Sequence, residues 1–209
     1  MTRVIVTPPV LPPAALAELK DWLGITISAD DAGLTGLLRA ALDVCADYIG
    51  MAPLVATYEE TLGVPTGRIA MPGPADWQSC TYPEDWRRRA GHDGWHRLDI
   101  RPIAALISIE ALSSSGTRST LAAGQYTVRI DDDGQCAIRI PAQNGVERAV
   151  IRFAAGLMDE WSGLPESLRH GIMRLAAHQY RQRDNAGADN LPPASVTALW
   201  RPWRRMRMA

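Results

Sequence analysis

The sequence predicts an α+β chain: a helical core formed by N- and C-terminal helices, with an inserted small antiparallel β-region and a flexible basic C-terminal tail. Three observations predict it. Apolar residues recur at helical spacing over residues 16–49 and again over 164–200. Between them lie short segments rich in β-branched and aromatic residues, VATYEETL, LDI, IAALISIEAL, QYTVRI, CAIRI and AVIRFAA, separated by the turn sequences SSSG, DDDG and QNG. Finally, residues 200–207 hold two tryptophans and four arginines and no acid. The expected organisation is 1–54 as the N-terminal helical part of the core, 55–160 as the β-rich insertion, 161–200 as the C-terminal helical part, and 201–209 as the tail. Helices at both ends, each with one apolar stripe, must bury those stripes together.

The first helix opens at Pro12 and Pro13, where a missing N–H costs nothing. Leu16, Leu19, Trp22 and Leu23 share one face, and Gly24 supplies a left-handed stop. The second helix takes Ser28 as N-cap and Asp30 and Asp31 in its first turn, where carboxylates suit the positive helix end. Leu34, Leu37, Leu38, Ala41, Leu42, Cys45, Tyr48 and Ile49 follow on its stripe, and Gly50 closes it. In the β-region, residues 125–130 and 136–140 flank DDDGQ and predict a hairpin. Residues 64–97 carry Gly, Pro, Trp and charge without a period, which predicts a long surface loop. Helix returns at Leu164 and Pro165, with Leu168, Ile172, Leu175, Ala176 and Tyr180 on a stripe, and ends near Asp184. A last short helix starts at Pro192 and Pro193, runs through Val196, Leu199 and Trp200, and stops at Pro202.

Composition narrows the function. With 46% apolar residues in 209, the chain can build real cores. No window approaches the roughly 18 apolar residues of a membrane span, and the N-terminal run is too short for a signal peptide, so an intracellular origin is expected. Three scattered cysteines, Cys45, Cys80 and Cys136, argue for reduced thiols rather than a disulfide framework. Net charge is only −1, but residues 201–209 hold four of the 22 basic residues and no acid, which leaves 18 basic against 23 acidic residues elsewhere, a balance of −5. The body should repel a polyanion mildly while the tail attracts one.

Catalytic and metal signatures are thin. Cys80, His92, Asp93 and His96 gather in the 64–97 loop, but Cys-x11-His-x3-His lacks the first cysteine pair of a zinc finger, and solvated loop residues are the better reading. GxSxG, HExxH, GxGxxG and the Walker A pattern do not occur, and the serines at 113–115 sit in a turn. The DDDG at 131–134 lacks the later glutamate of a calcium loop, so a hairpin turn explains it. No cofactor, metal or catalytic residue is nominated. The unusual surfaces are the tail and the Trp-rich loop, because Trp and Arg combine large contact area with directed polar groups. The same pair can stack on bases and neutralise phosphates, which makes a small DNA-binding factor the alternative. Membrane binding would need a longer amphipathic helix than Pro202 permits.

The order of the parts carries a resemblance. LAELKDWLGITISADDAGLTGLLRAALDVCADYIG, AVIRFAAGL, LPESLRHGIMRLAAHQYRQRD and LPPASVTALWRPWRRMRM resemble, in that order and over nearly the whole chain, head–tail connector (adaptor) proteins of long-tailed phages and gene transfer agents. The resemblance implies a structural protein without a catalytic site. It implies a ring, generally of twelve subunits, below the portal in the neck of the virion, assembled in the bacterial host cytoplasm. It further implies contact with the portal protein and with the next neck component, a stopper or tail terminator, with DNA only in transit through the lumen and no membrane. The portal-binding role falls on Val196, Leu199, Trp200, Arg201, Trp203, Arg204, Arg205 and Arg207. Trp77, Trp86, Arg87, Arg88, Arg89 and Trp95 are the candidate contacts to a neighbouring subunit or neck component.

Overall fold

A computed structural model describes residues 2–64, 94–141, 146–183 and 192–204. The chain is α+β and divides into two compact units, one of residues Pro9–Ala56 with Gly156–Ala209, the other of Met1–Pro8 with Thr57–Ala155.

The first unit is helical. Helix α1 covers Pro13–Leu23, α2 Asp31–Ile49, α3 Glu166–Gln182 and α4 Ala194–Trp200. Gly24 and Gly50 take φ of 70° and 71° after α1 and α2, the left-handed stop that a side chain resists. The stripes of all four helices meet in one cluster that includes Leu19, Leu34, Leu38, Cys45, Ile49, Trp161, Leu168, Ile172 and Trp200. Ser28 does not cap α2. Asp30 is the residue before the helix and makes no side-chain cap bond. Its carboxylate instead accepts the Tyr180 hydroxyl at 2.7 Å, tying the start of α2 to the end of α3.

The second unit holds the sheets. Strands β1 (Thr2–Thr7), β2 (Ala56–Gly63), β8 (Arg148–Ala155), β4 (Ile103–Leu112) and β5 (Arg118–Thr120) form a five-stranded sheet in that order. A second sheet runs β3 (Trp95–Arg97), β7 (Cys136–Arg139), β6 (Thr127–Ile130). The β6–β7 hairpin closes over the acidic turn with Ile130 opposite Cys136.

Three sequence expectations change. The N-terminal TRVIVT is an edge strand, because its β-branched residues complete the free side of β2 with Thr2 opposite Thr61 and Val4 opposite Glu59. The 64–97 loop ends earlier than expected: Trp95–Arg97 pairs with β7, Trp95 opposite Arg139, so long-range pairing overrides a locally aperiodic sequence. Residues 98–100, expected as a strand, lie outside the ladder; only the Leu98 amide continues to β7, donating to the Cys136 carbonyl at 2.9 Å.

Candidate functional site

The C-terminal segment grows out of α4. Pro193 starts the helix, and its carbonyl accepts the amides of Val196 and Thr197. One face of so short a helix must be buried for it to persist. Val196 and Trp200 supply that face: Trp200 is 0% exposed, donates its indole N–H to the Leu168 carbonyl at 3.4 Å, and packs 5.8 Å from the Tyr48 ring. Its ring lies against the α-carbon of Gly171, where any side chain would collide with the indole nitrogen. Leu199 is partly buried against the same cluster.

Val196 and Trp200, assigned to portal binding on the resemblance, are therefore core residues of the folded chain. They fix the segment and offer no free surface. The polypeptide leaves the core in a single turn over Arg201–Trp203. Trp203 is half-buried, its indole N–H donating to the Ser167 hydroxyl at 2.8 Å. Arg204 is exposed, with its guanidinium 5.4 Å from the centre of the Tyr48 ring, a cation–π distance. Arg201 is exposed as well. Arg205 and Arg207 lie outside the described residues. The structure thus brings together Trp200, Trp203, Arg204 and Tyr48 as a latch that holds the start of the arginine-rich tail on α2 and α3.

Of the aromatic and basic loop residues, Trp77, Trp86, Arg87, Arg88 and Arg89 lie outside the described residues, as do Cys80, His92 and Asp93. Trp95 sits on β3, half-buried, with the Arg129 guanidinium 5.6 Å over its ring. His96 is buried beside it, and burial lowers its pKa. Burial pushes the Cys45 thiol up to about 12 and Cys136 to about 11, with Asp131 adding to the latter, so neither is a thiolate near neutral pH. Among the described residues no three His, Cys, Asp or Glu side chains converge as a metal site. The described residues offer exposed arginines beside an aromatic latch, and sheet edges.

Sequence reasoning missed one feature of that kind. On β1, Val4, Ile5 and Val6 are 54%, 51% and 38% exposed, an uncovered run of aliphatic side chains on an edge strand. The unbroken run of β-branched residues 4–7 before Pro8 and Pro9 was the available signal. Also missed was the Arg118 clamp, which joins β5 to β2 by two hydrogen bonds to Glu59 of 2.8 and 3.0 Å.

No family model and no curated protein matches the chain. Solved structures do. The chain is 26% identical to a chain of a structure described as the virion of a native gene transfer agent particle, with TM-score 0.69, covering 100% of this chain and 98% of that one. It is 24% identical, at the same coverage, to chains in the neck of an empty particle of that type computed with C6 symmetry and in the neck of a native one computed with C12 symmetry, with TM-scores of 0.68 and 0.67. No helix among the described residues is long and apolar enough to cross a membrane. From end to end, the chain has the fold of chains in gene transfer agent particles and their necks, in keeping with the head–tail connector family that its order of elements resembles.

Proposed function

We propose that this chain is a structural subunit of the neck of a phage-like or gene transfer agent particle: an adaptor that forms a ring below the portal, joins it to the next neck component and lets DNA pass. The observation that carries this reading is the likeness to a gene transfer agent virion chain over the full length of both. Fold similarity to chains in necks computed with sixfold and twelvefold symmetry supports a ring, and twelve copies is the proposed number. The protein works by binding and positioning, without catalysis.

Portal contact is assigned to the exposed Arg201 and Arg204, which flank the Trp203 latch, together with Arg205 and Arg207 that follow them in sequence. Their counterpart on the portal is an acidic surface. Each tail makes a small contact, but many tails held on one ring engage a symmetric partner at high effective concentration, so a modest single-site affinity suffices. The body, at a balance of −5 without its last nine residues, does not cling to the DNA that passes.

The test is co-purification of the chain with the portal. Full-length protein should be retained by the portal, and protein ending at Arg204 or carrying Arg201→Glu, at an exposed side chain, should be lost from it while keeping its melting temperature. Equal retention of both variants would remove the tail from the contact. Particles whose necks lack this chain altogether would overturn the adaptor reading.

A further inference from the structure

A cyclic ring cannot be closed by one patch meeting itself. Each copy must present two different, complementary surfaces, one to each neighbour. Two sheet edges in the β unit, unpaired among the described residues, meet that demand. We propose that β1 of one copy pairs antiparallel with β6 of the next, joining the five-stranded sheet of one subunit to the three-stranded sheet of its neighbour. The proposal rests on the ring reading above and names the contact that closes it.

Backbone geometry fixes which groups are free. On β6, the Asp131 amide donates inward to the Gln135 carbonyl at 2.9 Å, and antiparallel alternation then turns the backbone groups of Ile130 and Val128 outward. On β2, the Val64 amide donates to the Glu147 carbonyl at 2.8 Å, so even-numbered residues of β2 bond to β8 and odd-numbered ones to β1. Thr61 and Glu59 therefore bond Thr2 and Val4, leaving the backbone groups of Arg3 and Ile5 facing away from the sheet. Strand pairing satisfies both edges when Arg3 stands opposite Ile130 and Ile5 opposite Val128.

Side chains agree with that register. Ile5 shares its face of β1 with the buried Tyr58 opposite it, and Ile130 shares its face of β6 with the buried Cys136. Each is about half exposed, Ile5 at 51% and Ile130 at 54%, because its sheet ends there. Joining the edges continues one buried face into the other. On the opposite face Val4 meets Arg129, the guanidinium that stacks on Trp95. Charge selects the antiparallel direction, since it sets Arg3 beside the acidic turn at 131–133, whereas parallel pairing would carry Arg3 to the other end of β6. The bulge of β1 lies beyond Ile5, towards Thr7, and Pro8 and Pro9 follow the strand, so both fall outside the stretch Arg3–Ile5 that the register uses.

The test uses assembled particles. Val4→Cys with Arg129→Cys places two thiols at a non-hydrogen-bonded pair, where antiparallel strands approach closest. Oxidation should give a ladder of cross-linked subunits on a non-reducing gel, absent from either single variant. Particles that contain the double variant yet give no ladder would sink the β1–β6 contact while leaving the neck reading intact. Particles in which the wild-type chain is not found at all would sink both. As a second measure, Ile5→Lys at an exposed site should leave the melting curve of the free protein unchanged and reduce its copies per particle at least tenfold; incorporation at the wild-type level would overturn the proposal.

Discussion

Glu60 is 0% exposed, and one of its carboxylate oxygens has no hydrogen-bond partner among the described residues. The other accepts a long bond from the Asp99 amide at 3.5 Å. Burial, with Asp99 as a nearby like charge, raises its pKa from 4.5 to about 7. Between these two pH values the folded state holds a proton that the unfolded state has released, so the contribution of Glu60 to stability is greatest below pH 4.5 and declines as pH rises to about 7. Glu60→Gln should abolish that decline and stabilise the protein at pH 8 by about 3 kcal/mol, measured by comparing the urea unfolding free energies of the two proteins at pH 8. An unchanged pH slope would show that Glu60 is ionised and satisfied in the native state. A second residue-scale expectation concerns Gly171. Any side chain there meets the Trp200 indole, so Gly171→Ala should destabilise by about 1–3 kcal/mol in thermal or urea melts, and Gly171→Ala with Trp200→Phe should cost less than the two changes separately. Sequence alone could name Trp200 but not its place. The apolar stripe of α4 and the aromatic tail merge at residues 199–203, and only the groove that Gly171 opens in α3 shows that Trp200 belongs to the core and Trp203 to its rim.

Elements differed in how far they could be read. The long helix α2 announces itself, because 19 residues carry five turns of one apolar stripe and a glycine stop. The β6–β7 hairpin is equally legible, since turn and strands are contiguous. Strands β1 and β3 were not, and for one physical reason: their stabilising partners lie far away in sequence, β1 on residues 57–61 and β3 on residues 137–139. A three-residue strand has no period to detect. The edge at β1, the candidate ring contact, was hidden with it. The glycine stops allow a direct test of local coding. Gly24 has φ of 70° and open space where a Cβ would stand, so Gly24→Ala carries only the conformational penalty. It should cost about 1 kcal/mol in a urea melt, and Gly24→Asn clearly less, because asparagine tolerates the left-handed region. Equal losses for the two would mean that something besides backbone conformation is at stake.

At the scale of the whole molecule, charge is divided along the chain: a helical and β-sheet body with more acids than bases, and a basic end. Two functions could use such an end. A DNA-binding factor would present it to phosphates. An adaptor would spend it on a protein partner and leave the rest indifferent to DNA. The latch favours the second, because Arg204 lies over Tyr48 and Trp203 is tied to Ser167, so the aromatic groups that base stacking would need are already engaged within the fold. The free protein should therefore bind duplex DNA more weakly than about 10⁻⁴ M at physiological salt, below the range of non-specific binders. Fluorescence anisotropy on a labelled duplex measures this. Micromolar affinity that falls steeply with salt, with a slope that shrinks by about one unit for each of Arg201→Ala and Arg204→Ala, would reverse the assignment and make the tail a nucleic-acid contact. The alternative outcome, no DNA binding but loss of portal binding in the same two variants, ties the basic end to the neck.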